Sequence, residues 1–186
     1  VQGDYLYGAP ASGNRLTARR IVEVNRHPFD RLKAFYFGNP LDAKLNSAED
    51  LPETTLNDQG GVFLDVPALS GKIHSPLMVS VEGSLHEVGG RTVTRQLDVP
   101  FFPAANLVGI RPAFAKDTVD VNTSAEFELA RVNVEVQATT TTQALAVSLV
   151  REEREYFWEY NSAEGWQRKD IASEYPVTLQ KVSLDT

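Results

Sequence analysis

Apolar residues recur at alternate positions in short runs rich in Val, Leu, Phe, Tyr and Thr, and clusters of Gly, Pro, Asn and Asp separate the runs. A period of two puts successive side chains on opposite faces of a strand, so the pattern predicts an all-β protein built from hairpins. Two hairpins have a readable register. In the first, Leu77, Val79, Val81 and Leu85 alternate, and Val93, Leu97 and Val99 return with the same parity. A two-residue turn at Gly89-Gly90 would set Leu85 opposite Thr94 and send the returning apolar side to the wrong face. A three-residue loop, Val88-Gly89-Gly90, sets Leu85 opposite Val93, Val81 opposite Leu97 and Val79 opposite Val99, with Gly90 as the left-handed residue of the bulge. The same solution over Thr54 to Val66 makes Asp58-Gln59-Gly60 the loop and pairs Leu56 with Val62 and Thr54 with Leu64.

Further strands are predicted near Leu16 to Asn25 and across Phe35-Tyr36-Phe37, with Ala43 to Pro52 as a polar connection. Asp30 to Phe37 also fits a helical turn, since Leu32, Phe35 and Tyr36 share a helical face, although Pro28 and Gly38 leave little length. In Pro100-Phe101-Phe102-Pro103-Ala104-Ala105-Asn106 two prolines interrupt strand pairing after a finished hairpin, which predicts a domain boundary there. The 186 residues then divide into domains 1–103 and 104–186, each of roughly 90 residues. Phe101-Phe102 is expected to pack between them. Strand candidates in the second domain are Leu107 to Arg111, Ala125 to Val132, Ala144 to Val150, Tyr156 to Tyr160 and Val177 to Leu184. The Arg and Glu content of Arg151 to Tyr160 suits a helix. Alternation of Tyr156, Trp158 and Tyr160 with Glu155, Phe157 and Glu159 favours a hairpin, with Asn161 to Gly165 as its loop before Trp166 and four or five loop residues both admissible.

Composition changes this picture little. With 42% hydrophobic and 23% charged residues the balance is that of globular protein, and no apolar run approaches the ~20 residues of a membrane helix. A net charge of −7 repels phosphate backbones, so nucleic acid is not an expected partner. The absence of cysteine excludes disulfides, thiolate metal sites and a cysteine nucleophile without deciding the compartment. His27, His74 and His86 fall on separate elements with no partner at metal-ligand spacing, and His86 points away from the core in the register above. Glu49, Asp50 and Glu53 precede a turn, and Glu152, Glu153 and Glu155 alternate with arginines, which reads as solvated charge rather than a catalytic pair. There is no phosphate loop, nucleophile elbow or calcium loop, and Asn122-Thr123-Ser124 matches only the short glycosylation pattern. No catalytic, metal or cofactor residue is therefore predicted, and the chain does not read as an enzyme.

Two stretches carry competing readings. Thr139 to Thr142 is small and uncharged, as a protease-accessible segment would be, yet threonine also suits an edge strand or exposed face, which is the favoured reading. The aromatic set Tyr156, Phe157, Trp158, Tyr160 and Trp166 would serve as a sugar-binding platform, but core and interdomain packing is favoured because aromatics dominate burial energetics.

The chain opens on Val1-Gln2-Gly3-Asp4, with no methionine and no targeting segment, and reads as a piece of a longer protein whose first strand is cut short. Tyr5-Leu6-Tyr7-Gly8-Ala9-Pro10 follows, where Tyr5 and Tyr7 would share one strand face, Leu6 would take the other, and Gly8 to Pro10 would end the strand. This hexapeptide resembles the strand and turn of macroglobulin domains in the alpha-2-macroglobulin family. Leu51-Pro52-Glu53-Thr54-Thr55-Leu56-Asn57-Asp58-Gln59-Gly60, Pro103-Ala104-Ala105-Asn106-Leu107-Val108-Gly109-Ile110-Arg111-Pro112 and Val150-Arg151-Glu152-Glu153-Arg154-Glu155-Tyr156-Phe157-Trp158 resemble its bacterial branch. The resemblance implies two tandem seven-stranded antiparallel β-sandwiches, similar to fibronectin type III, from the N-terminal half of the parent. It further implies a non-catalytic scaffold within a protease trap, whose partners are the other parent domains and, through the parent, target proteases. Bacterial relatives look periplasmic, often lipid-anchored to the inner membrane at a distant N-terminus and associated with a peptidoglycan synthase. This fragment itself would touch no membrane. The family's Cys-Gln thioester cannot lie in a chain without cysteine, and the rival reading is a two-sandwich module that binds carbohydrate or protein.

Overall fold

The computed structural model describes residues 1–115, 118–120, 122–139, 144–163 and 165–182. Among these the fold is all-β, as the alternating pattern predicts, with two short 3-10 helices at Asp30–Leu32 and Pro40–Leu45. The strands are β1 Arg15–Val24, β2 Tyr36–Phe37, β3 Ser47–Thr55, β4 Leu77–His86, β5 Thr92–Phe101, β6 Asn106–Pro112, β7 Phe127–Asn133, β8 Leu145–Asn161 and β9 Gly165–Val182. They pair antiparallel in three sheets of order β3-β1-β4-β5, β2-β6-β7 and β8-β9. The chain divides into two compact units, Val1–Thr139 and Thr140–Thr186.

The β4–β5 hairpin has the register read from the sequence. Leu85 pairs with Val93, Val81 with Leu97 and Val79 with Val99. Its loop is closed by the Glu87 amide on the Arg91 carbonyl at 2.8 Å and the Gly90 amide on the Glu87 carbonyl at 2.9 Å, with Gly90 at φ 84°. The same turn recurs after Tyr5, Asn57 and Asn133, each of which donates to the carbonyl four residues on and accepts from the amide three residues on. Its left-handed residues are Gly8, Gly60 and Val136, at φ 87°, 76° and 64°. Glycine adopts that conformation freely, whereas a β-branched residue there is an outlier. Val136 packs against the aromatic core that holds it.

Several predicted elements take another form. Tyr5 to Pro10 is the tip of a turn rather than a strand, although the rings of Tyr5 and Tyr7 do lie together, 5.3 Å apart. Around Gly60 the predicted loop closes between Asn57 and Gly61, but the ladder stops there. Thr54 pairs with Leu16 on β1 instead of with Leu64, and Val62 and Leu64 pack on Leu56 only as side chains. Ala43 to Pro52 is not merely a connection: from Ser47 it is strand β3, hydrogen-bonded along β1. Tyr156 to Tyr160 continues the strand begun at Leu145, and the ribbon closes at Asn161 and Gly165, tighter than a four- or five-residue loop. Asp30 to Phe37 divides between a 3-10 turn and β2, so both of its readings hold in part.

Among the described residues of the first unit, buried apolar side chains gather in two clusters. Ala11, Leu16 and Leu56 form one, with Tyr5, Val62, Leu64 and Leu85 packed on it. The other joins Phe29, Phe35 and Phe37 to Leu107 and Val132, so it draws on residues either side of the Pro100 to Asn106 stretch, as does the sheet that pairs β2 with β6. Phe102 lies in this core, its ring stacked 5.7 Å from Phe29.

Candidate functional site

Strand alternation gives the four-stranded sheet one polar face. On it the Arg15 guanidinium reaches Glu53 at 3.1 Å and Arg19 reaches Asp50 at 3.6 Å across the β1–β3 pair. His86 shares this face, its ring nitrogens 3.0 Å from the Thr17 hydroxyl and 3.1 Å from that of Thr92. Asp98 accepts from the Gln96 amide at 2.7 Å and the Ser80 hydroxyl at 2.6 Å, and these bonds hold its carboxyl below the ordinary value of 3.8. Asp50, Glu53 and Asp98 are each engaged by a neighbour on the next strand or its own, so these carboxylates form a surface of paired charges rather than a reaction centre. Glu49, the third carboxylate of β3, bonds Arg20 at 2.7 Å. The sequence reading of these acids as solvated charge missed their arginine partners, because it left Ser47 to Pro52 outside any strand.

The other histidines lie apart from His86. His27 sets its ring 4.6 Å from that of Tyr36 and its Nδ1 3.1 Å from the Phe35 carbonyl. His74 meets Asp42 only through its backbone amide, at 3.2 Å. Asp42 also accepts the Ser75 hydroxyl at 2.9 Å, and the Asn39 amide donates to that hydroxyl at 2.8 Å. Asp, His and Ser thus lie together as residue types of an acyl-transfer triad, but the imidazole is not between the other two, and Ser75 is 0% exposed. This knot ties the Pro40–Leu45 helix to the start of β4 and gives no substrate access. A shallow cleft of about 360 Å³ passes beside Asn39 and His74. Among the described residues no three His, Asp or Glu side chains gather as metal ligands.

On the β8–β9 ribbon, Tyr156, Trp158, Tyr160 and Trp166 fall on one face by register. The rings of Tyr160 and Trp166 meet edge to face at 5.4 Å, and the Arg168 guanidinium lies 4.7 Å from the Tyr156 ring. All four are exposed, from 58% for Trp158 to 67% for Trp166, and Phe157 on the opposite face is 46% exposed. The expected packing of this set in a core is therefore not what the structure shows, because among the described residues of its own unit the ribbon has two strands and no second sheet. Thr140 to Thr142 lie outside the described residues, and Thr139 is half-buried, its hydroxyl accepting from Arg131 at 2.9 Å.

Residues 1–103 match the bacterial alpha-2-macroglobulin MG5 domain, and residues 109–186 match bacterial macroglobulin domain 6. The chain belongs to the bacterial alpha-2-macroglobulin family. The alpha-2-macroglobulin of Xylella fastidiosa is 41% identical over 159 residues, covering 84% of this chain and 10% of that protein. The native Escherichia coli alpha-2-macroglobulin superimposes with a TM-score of 0.82 at 32% identity, over 98% of this chain and 12% of that one. The Escherichia coli protein activated by porcine elastase gives a TM-score of 0.82 at 33% identity, over 98% and 16% respectively. The chain thus spans about a tenth of the length of the curated alpha-2-macroglobulin it matches. Among the described residues no helix is long and apolar enough to cross a membrane.

Proposed function

We propose that this chain is a non-catalytic scaffold segment of a bacterial alpha-2-macroglobulin that traps proteases, made of one macroglobulin domain over 1–103 and a second over 104–186. The match to two successive macroglobulin domains along almost the whole chain carries this reading. Ionisable side chains committed to cross-strand pairs support it, as does a relative on which a protease, elastase, acts. In this reading the segment positions neighbouring parent domains and passes on their rearrangement after cleavage, with the periplasm as its compartment. A lipid anchor on the parent and association with a peptidoglycan synthase extend the same family resemblance. The test compares the 186-residue segment with its parent against elastase and trypsin. The segment alone should leave both proteases active while the parent inhibits them; inhibition or hydrolysis by the segment itself would defeat the proposal.

The four exposed aromatics of β8 and β9 favour one second reading, a stacking platform for carbohydrate. Glycan titration followed by Trp158 and Trp166 fluorescence separates the two, since a saturable change supports the platform and a flat response removes it.

A further inference from the structure

The stretch from Phe63 to Ile73 runs from the Gly60 turn toward β4 without entering any ladder. Its entrance is held where Val1 and Val62 exchange backbone hydrogen bonds of 2.8 and 3.0 Å, and Leu64 packs on the Leu16 and Leu56 core. Beyond its exit, Ser75 and Pro76 are fully buried. Between these anchors, among the described residues, the one hydrogen bond made by residues 63–73 comes from Arg20, whose guanidinium donates to the Pro67 carbonyl at 2.5 Å.

Arg20 occupies an unusual place for a charge. It follows β1 alternation onto the apolar face, between buried Ala18 and Val22 and opposite Val81, and its side chain is 12% exposed. One terminal nitrogen bonds the half-exposed carboxylate of Glu49 at 2.7 Å, the other holds Pro67, and the buried Nε has no partner. A desolvated guanidinium is retained at a cost unless its bonds do something that an apolar residue could not. Here they join the coil to two strands of the sheet. The far half of the coil has room to move: a cavity of about 570 Å³ opens among Pro67, Leu69, Ile73, Phe101 and Pro103.

We propose that residues 63–73 are a releasable strap over the apolar face of the four-stranded sheet, latched by Arg20 on the Pro67 carbonyl and able to lift while β1, β4 and β5 stay paired. Lifting breaks a charge-assisted hydrogen bond and a few apolar contacts, and it costs no ladder, which is the condition for a sub-global opening. The strap gives the segment a moving part of its own and does not depend on what the parent traps.

Thiol labelling of Leu69→Cys in the parent protein, read as the gain over the parent without it, tests this beside hydrogen exchange of the β4 amides. Leu69 is half-buried and Ala68 is exposed, so the thiol at 69 should label more slowly than that of Ala68→Cys, through an opening that leaves β4 amides protected. Arg20→Met should speed labelling at 69 by about tenfold or more, the loss expected for a hydrogen bond to a charged group, with β4 protection retained. Labelling unchanged in a folded Arg20→Met protein would overturn the latch. An opening free energy from labelling at 69 equal to that of the β4 amides, without Arg20→Met, would overturn the releasable strap, whether or not that variant folds.

Discussion

The ring of Phe37 lies against the backbone of Gly109, so close that a methyl group at Gly109 would stand 2.6 Å from Cζ and 2.7 Å from Cε1 of that ring. Phe37 on β2 is 1% exposed, and Gly109 pairs with it on β6. The missing side chain is thus what lets a two-residue strand set a phenylalanine into the core. Gly109→Ala should destabilise the protein by about 2–3 kcal/mol through overpacking. Urea unfolding of Gly109→Ala, Phe37→Ala and the double variant should show strong coupling, with the alanine at 109 costing under about 0.5 kcal/mol once the ring is gone. Additive costs would mean that the contact is not the cause.

Gly60 and Gly90 occupy the same place in the same turn but meet different surroundings. A Cβ on Gly90 meets nothing within 4 Å, while one on Gly60 comes 2.5 Å from the Gly3 carbonyl oxygen. Gly90→Ala should therefore cost only the left-handed strain, about 1 kcal/mol. Gly60→Ala should cost more by about 1–3 kcal/mol, since the Gly3 backbone must also shift. Equal shifts of the unfolding midpoint would contradict this.

Along β3 the apolar residue should matter more than the charges. Arg15 and Glu53 are 52% and 54% exposed, and Asp50 is 88% exposed. Asp50→Asn and Glu53→Gln should each alter stability by less than about 0.5 kcal/mol. Leu51, 6% exposed between them, should cost about 2–4 kcal/mol when cut to alanine. Denaturant midpoints for the three variants check the order.

Asp98 gives a pH dependence with a definite sign. Its folded carboxyl titrates below 3.8 because Gln96 and then Ser80 donate to its charged form. A depressed folded value means that the contribution to stability is complete above the unfolded value of 3.8 and is lost as the pH falls through the lower folded one. Side-chain carboxyl NMR should place its midpoint below 3.8 and move it upward in Gln96→Ala and in Ser80→Ala. A midpoint insensitive to both substitutions would remove the hydrogen bonds as the cause.

Much of the fold was legible wherever local chemistry and pattern agreed. The β4–β5 register followed from parity plus a glycine able to sit left-handed, and the structure pairs Leu85 with Val93 accordingly. The equivalent turn at Asn133 escaped the glycine pattern because its left-handed residue is Val136, although the Asn133 carboxamide accepts from the Glu135 and Gln137 amides just as that of Asn57 accepts from Gln59 and Gly61. β3 was missed because Ser47 to Asp50 is polar, and its pairing depends on arginines about thirty residues earlier, such as Arg20 for Glu49. The candidate residues read as no catalytic constellation, and only the fold brings Asp42 to the adjacent His74 and Ser75.

The sequence by itself determined the strand period, the glycine turns and the family, since all three are written in short windows of residues. Tertiary structure alone decided which strands share a sheet, that Leu97 is 65% exposed while Leu77 is 1% exposed on the same alternating face, and that Arg20 is enclosed beneath a coil. The physical reason is that alternation assigns a side chain to a face, whereas burial depends on what a distant part of the chain lays over that face.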